Sequence, residues 1–184
     1  ALIEPRIPEL ARRMAEGKIW LMANLTAYKI IGLMANDLPA VLARPEIKFL
    51  PLSNQQGWGP ATNPYTARFG KDSYPGFMAR FALLQKLVRG FQSAGVGILV
   101  GTDAMNTGVV PGFSTHDELA ELVTAGLTPF QALRAATANA AEFLAKGDQR
   151  GVVAVGQRAD LVLLEANPLE SISNSRRIVG VILK

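Results

Sequence analysis

The chain has 184 residues, of which 49% are apolar and 18% charged, with a net charge of +4 and no cysteine. That length and balance suit one globular domain, or one domain with a small annex, and exclude a disordered chain, a disulfide framework and a thiolate metal site. No apolar run reaches the ~20 residues of a membrane-spanning helix, and no signal-peptide pattern opens the chain. The basic excess is scattered. Arg12-Arg13 and Arg176-Arg177 are isolated pairs without an aromatic binding strip, so the charge reads as solvated surface. No nucleic-acid or membrane partner is expected. A cytoplasmic location is favoured by the lack of cysteine but is not fixed by it.

Taken in order, Pro8–Glu16 reads as a helix with proline in its first turn and Gly17 at its end. Lys18–Leu25 follows as a strand-like run, and Thr26–Asn36 as a second helix. Residues 51–75 are rich in Pro, Gly, Asn and Gln, the composition of a long loop. Trp58, Tyr65 and Tyr74 within it either line a pocket or anchor the loop, and anchoring is the simpler role. Phe77, Phe81, Leu84, Val88 and Phe91 then mark one apolar helix face, closed by Gly95. Val96–Val100 is a short apolar run of the kind a strand buried on both faces requires.

After Asp103 comes a Gly/Pro-rich loop, 106–114. Thr115 with Glu118, and Thr128 with Gln131, have capping-box spacing and predict two helices, the first ending at Gly126; Thr137 is expected to cap a third that stops at Gly147. The tail changes character: Gly151–Val155, Asp160–Glu165 and Ile178–Leu183 read as short strands, the first two paired across a turn. Ala1 stands where an initiator methionine would, and Lys184 follows the last strand directly, so a piece of a longer protein is expected.

Asp103 is the sharpest candidate for chemistry. In barrel-type α/β enzymes a charged residue where a buried strand ends points into the active-site mouth. It is equally the kind of residue that caps the next loop or pairs with a lysine, and geometry alone leaves both open. The single histidine, His116, falls in the first turn of a helix, where a capping or surface role is commoner than catalysis. Gly95, Gly97 and Gly101 flank a strand instead of leading from one into a helix, so no dinucleotide fingerprint is present. Thr102 and Ser114 lack a nearby histidine base, and no Gly-x-Ser-x-Gly elbow occurs.

With these elements in order, the C-terminal half resembles the amidohydrolase superfamily, most strongly the metal-dependent hydrolases related to imidazolonepropionase and Xaa-Pro dipeptidase. The matching text is Gly-Ile-Leu-Val-Gly-Thr-Asp-Ala at 97–104, His-Asp-Glu-Leu at 116–119 and the run 125–141 from Ala-Gly-Leu-Thr-Pro to Ala-Asn-Ala-Ala. It continues in 151–164 and in Ala-Asn-Pro-Leu at 166–169. Each block alone is weak, whereas the ordered set is specific. Residues 1–95 match only loosely.

The resemblance implies an α/β fold: part of a (β/α)8 barrel, with Lys18–Leu25 as its seventh strand and Val96–Val100 as its eighth, over residues 1–148. Residues 149–184 would be C-terminal strands of a composite β-sandwich. It further implies metal-assisted hydrolysis of a C–N bond in an amide, cyclic amide or dipeptide. Asp103 would be both metal ligand and proton shuttle, with one or two divalent ions, zinc favoured, lowering the pKa of bound water toward about 7. Asn106, Thr107 or His116 would touch the small-molecule substrate from the loop above the strand end, and a homo-oligomer is compatible with the family.

The chain departs from that pattern. It has no His-x-His, and its only histidine lies after the eighth strand. The remaining ligands would lie outside it, so the chain alone is expected to be inactive. The alternative is a truncated remnant or a binding protein on the same fold. With two barrel strands, open edges and unburied apolar faces are expected.

Overall fold

The computed structural model describes residues 3–144 and 150–183. Helix α1 spans Ile7–Glu16 and leads into strand β1, Trp20–Met22. Gly17 closes the helix in an ordinary right-handed conformation; the left-handed residue of this turn is Lys18, at φ 50°. Helix α2 covers Leu25–Leu42 with a break at Asp37, whose carboxylate takes the N–H of Ala40 at 3.0 Å. The helix therefore stops near Asn36, as its sequence suggests, and restarts with Asp37 as cap and Pro39 in the new first turn.

The 51–75 stretch is less irregular than its composition suggests. It holds helix α3, Leu52–Gly57, and Trp58 is buried with Ile47, Leu50 and Val110, so the tryptophan does anchor the loop. Helix α4, Tyr74–Ser93, buries Phe81, Val88 and Phe91 from the expected face. Gly95 then turns the chain at φ 82° into strand β2, Gly97–Leu99.

Strands β1 and β2 pair in parallel, with Trp20 opposite Gly97, Leu21 opposite Ile98 and Met22 opposite Leu99. Parallel neighbours need a long crossover, here supplied by α2 through α4. Ile98 and Leu99 face opposite sides of the sheet, and both are buried. The main core gathers around Ile98 from Leu25, Phe81, Phe91, Leu119, Leu122 and Ile172.

Helix α5, Phe113–Ala125, starts two residues before the expected Thr115, and Glu118 makes no capping box. Gly126 ends it at φ 117°, and α6, Pro129–Ala136, opens with the expected Thr128–Gln131 box. Thr137 turns its hydroxyl back to the Leu133 carbonyl at 2.8 Å instead of capping α7, Ala138–Leu144. The expected stop at Gly147 and the boundary between 148 and 149 lie outside the described residues.

No strand forms at Gly151–Val155, where Val153 and Val155 lie open to solvent. The antiparallel pair is instead β3, Leu161–Leu164, with β4, Ile178–Ile182. A two-stranded ladder needs further strands or a layer packed on its face to be stable, and Val162, Leu163, Val179 and Val181 are exposed. The single turn Ile172–Arg176 ties this tail to α5, through Ile172 in the main core and the Arg176–Asp117 ion pair. Among the described residues, no helix is long and apolar enough to cross a membrane.

Candidate active site at the strand ends

The carboxyl ends of the two parallel strands form one rim, and both carry a strained non-glycine residue. Asn24 follows β1 at φ 51° and Asp103 follows β2 at φ 53°. Asn and Asp tolerate the left-handed region better than other side chains, and such strain clusters at functional sites. Met105, at φ 76°, extends the feature into the following loop.

Asp103 is exposed. Its Oδ2 accepts the side-chain amide of Asn106 at 2.6 Å, and its carbonyl accepts the Asn106 backbone N–H at 3.2 Å. The structure thus brings two of the three expected site residues together. His116 is turned elsewhere: its Nδ1 meets the Ser175 hydroxyl at 3.0 Å on the side of α5 that holds the tail. Burial pushes the imidazole below its ordinary pKa, helped by the Arg176 guanidinium and opposed by Asp117.

The loop after Asp103 is not a free flap. Thr107 to Val110 are buried, with Val109 packed among Ile30, Met34 and Val41 of α2. Arg44 donates to the Gly108 carbonyl at 3.1 Å and pairs with Asp117 at 2.6 Å and Glu46 at 2.5 Å. Thr107 is therefore a packing residue, and the open part of the loop is the short stretch from Asp103 to Asn106.

Helix α5 holds the rim from behind. Ser114 donates its hydroxyl to Thr102 Oγ1 at 3.0 Å. One turn on, Glu118 accepts the N–H groups of Leu25 at 3.0 Å and Thr26 at 2.7 Å. Burial pushes the Glu118 carboxyl above its ordinary range, against the pull of those hydrogen bonds. The outer edge of β2 is also covered: Val100 donates to the Ala135 carbonyl at 3.2 Å, and Asn139 donates to the Ile98 carbonyl at 2.9 Å. That edge is less open than two strands alone would leave it.

Sequence reasoning passed over Asn24, and it read Glu118 as a local cap. The signal for Asn24 was its place at the end of an apolar run, the place Asp103 holds at the next one. A cavity of about 610 Å³, lined by Lys18, Trp20, Val96, Gly97, Phe130 and Arg134, opens at the amino ends of the same strands, away from Asp103. Among the described residues, no three His, Cys, Asp or Glu side chains gather into a group that could hold a metal ion. Catalytic zinc takes about three protein ligands, so the residues present do not by themselves fit a metal centre.

The profile of the Amidohydrolase family matches residues 84–184, more than half of the chain. The chain belongs to that family. An imidazolonepropionase of Deinococcus deserti is 43% identical over 94 residues, covering 50% of this amidohydrolase-family chain and 23% of the relative. An ochratoxinase of Aspergillus niger is 43% identical over 91 residues, covering 47% and 18%. The crystal structure of that A. niger enzyme superposes with a TM-score of 0.61 at 28% identity, over 95% of this chain and 32% of its own. A Xaa-Pro dipeptidase with bound methionine gives a TM-score of 0.67 at 21% identity, over 95% and 36%, a likeness of fold alone. The chain thus spans about a fifth of the curated relatives it matches and about a third of these solved chains. Its α/β fold is that of amidohydrolases.

Proposed function

We propose that the protein carrying this chain hydrolyses a C–N bond of a small amide, cyclic amide or dipeptide, with Asp103 as the reacting carboxylate. One observation carries the reading: Asp103 stands at the carboxyl end of a buried parallel strand, inside the family-matched segment, with its carboxylate exposed and aimed by Asn106. A carboxylate so placed accepts the proton of an attacking water and returns it to the leaving nitrogen, a transfer worth about 10²–10⁴ in rate. The names of two relatives, an imidazolonepropionase and an ochratoxinase, agree with a hydrolase of the amidohydrolase family.

In this reading β1 and β2 are the seventh and eighth strands of a (β/α)8 barrel. Strands β3 and β4 belong to a β-sandwich beginning near 149, and Asn106 borders the substrate. His116 faces Ser175 and serves the docking of the tail. Asp103 would give one ligand to a divalent ion, zinc by the resemblance, whose other donors lie outside the described residues. The test is Asp103→Asn in the protein carrying this chain, assayed on dipeptides and cyclic amides with divalent metal supplied. A fall of about 10²-fold or more in kcat is expected; turnover close to wild type overturns the assignment.

A further inference from the structure

We propose that Glu118 is a positioning residue for this site, fixing the carboxyl end of β1 while Ser114, one turn earlier on the same helix, fixes that of β2. The inference rests on Asp103 being the reacting carboxylate.

A helix ordinarily receives its first-turn cap from the residue that precedes it. Helix α2 does not. Asn24 occupies that position in a left-handed conformation and caps nothing, and Leu25 and Thr26 donate instead to a carboxylate 93 and 92 residues further along the chain. Glu118 is fully buried, on the helix that also buries Leu119 and Leu122 in the main core. A carboxylate in such a place is expensive unless every oxygen is hydrogen-bonded, and an apolar residue would pack there at lower cost. Both oxygens are used, one for each N–H.

The consequence reaches Asp103 through short links. Holding Leu25 and Thr26 holds Asn24, which with Met22 of β1 closes over Gly101: a methyl group added to that glycine would fall 2.6 Å from Asn24 Oδ1 and 2.3 Å from Met22 Cγ. Gly101 precedes Thr102, the residue Ser114 grips, and Thr102 precedes Asp103. Ser114 and Glu118 are about 6 Å apart along one rigid helix. The two strand ends are therefore set against a single ruler, and a misplacement of about 1 Å at the reacting group is enough to cost up to about 10²-fold in rate.

The test compares Glu118→Gln and Ser114→Ala with wild type in the protein carrying this chain. Glutamine keeps the shape but turns an NH2 toward one of the two N–H donors. Its expected signature is a kcat lowered about tenfold or more with KM changed by less than about twofold. Faster amide exchange at Leu25 and Thr26 is expected to accompany it. Ser114→Ala leaves Glu118 intact and should lower kcat by about threefold. A purely structural role would lower the folded fraction and leave kcat per folded molecule unchanged, which overturns the proposal. Should Glu118→Gln not fold, an unchanged kcat in Ser114→Ala overturns it equally. If Asp103→Asn keeps its turnover, the hydrolase reading itself has failed; if Asp103→Asn is inactive and Glu118→Gln is not, only the positioning role has.

Discussion

Asn106 donates its side-chain amide to Oδ2 of Asp103 at 2.6 Å while the Asp103 carbonyl receives the Asn106 N–H at 3.2 Å. The two bonds close a turn directly after the strand and leave Oδ1 without a partner among the described residues. A hydrogen bond to a carboxylate oxygen holds the side chain in one rotamer. Replacing Asn106 with alanine removes the side-chain bond and keeps the backbone one. The expected loss is about tenfold in kcat/KM, the equivalent of ~1.4 kcal/mol, with little change in stability because the pair is solvated. Steady-state kinetics beside a thermal melt would separate these; equal kinetics with a lowered melting temperature would contradict the assignment.

Gly97 faces the Trp20 ring across the parallel pair. A methyl group there would lie 2.3 Å from the indole, which fills the space a side chain would take. The ring cannot fold away like a flexible chain, so Gly97→Ala should destabilise by about 1–3 kcal/mol through overpacking. Urea unfolding of the variant beside wild type measures it. A midpoint unchanged from wild type would mean that Trp20 has another rotamer available.

Much of this architecture was legible because it rests on local rules. The Phe81–Val88–Phe91 face, the left-handed glycines at 95 and 126 and the Thr128–Gln131 box are all decided within a few residues, and all form as their spacing suggests. The misreadings were long-range. Thr115 and Glu118 have the spacing of a local box, yet Glu118 serves the start of α2, and no window around 118 contains Leu25 or Thr26. Gly151–Val155 has strand composition but no edge to pair with, because β3 takes β4 instead. At the site, the strand-end aspartate was found from its apolar run. Asn24 was missed because the expected strand, Lys18–Leu25, runs past it, whereas β1 stops at Met22.

Arg44 is the joint between the post-β2 loop and α5. It bonds the Gly108 carbonyl, Asp117 and Glu46, and Asp117 passes the link to Arg176 at 2.5 Å. Changing Arg44 to methionine would leave Glu46, only 8% exposed, as a nearly buried unpaired charge. The partial exposure of the arginine and of Asp117 reduces the loss, and a destabilisation of about 1–3 kcal/mol is expected. Adding Glu46→Gln to that variant should recover part of it, because the stranded charge is then gone. A double variant no more stable than the single one would show that the Gly108 and Asp117 contacts carry the effect.

A buried carboxyl and a half-buried imidazole on α5, Glu118 and His116, give opposite pH dependences. Burial raises the Glu118 carboxyl in the folded state above its ordinary value of 4.5. The folded chain therefore keeps this proton after the unfolded chain has lost it. The contribution of Glu118 to stability is full below the unfolded value and is lost as pH rises through the folded one. His116 runs the other way. Its folded value lies below the ordinary 6.5, so its contribution is present above that value and lost as pH falls through the lowered one. Urea unfolding from pH about 4 to about 8 should show wild type losing ground to Glu118→Gln as pH rises through the lower window. Wild type should also lose ground to His116→Gln as pH falls below about 6.5. Curves for wild type and Glu118→Gln that stay parallel would mean that the hydrogen bonds from Leu25 and Thr26 offset the burial in full.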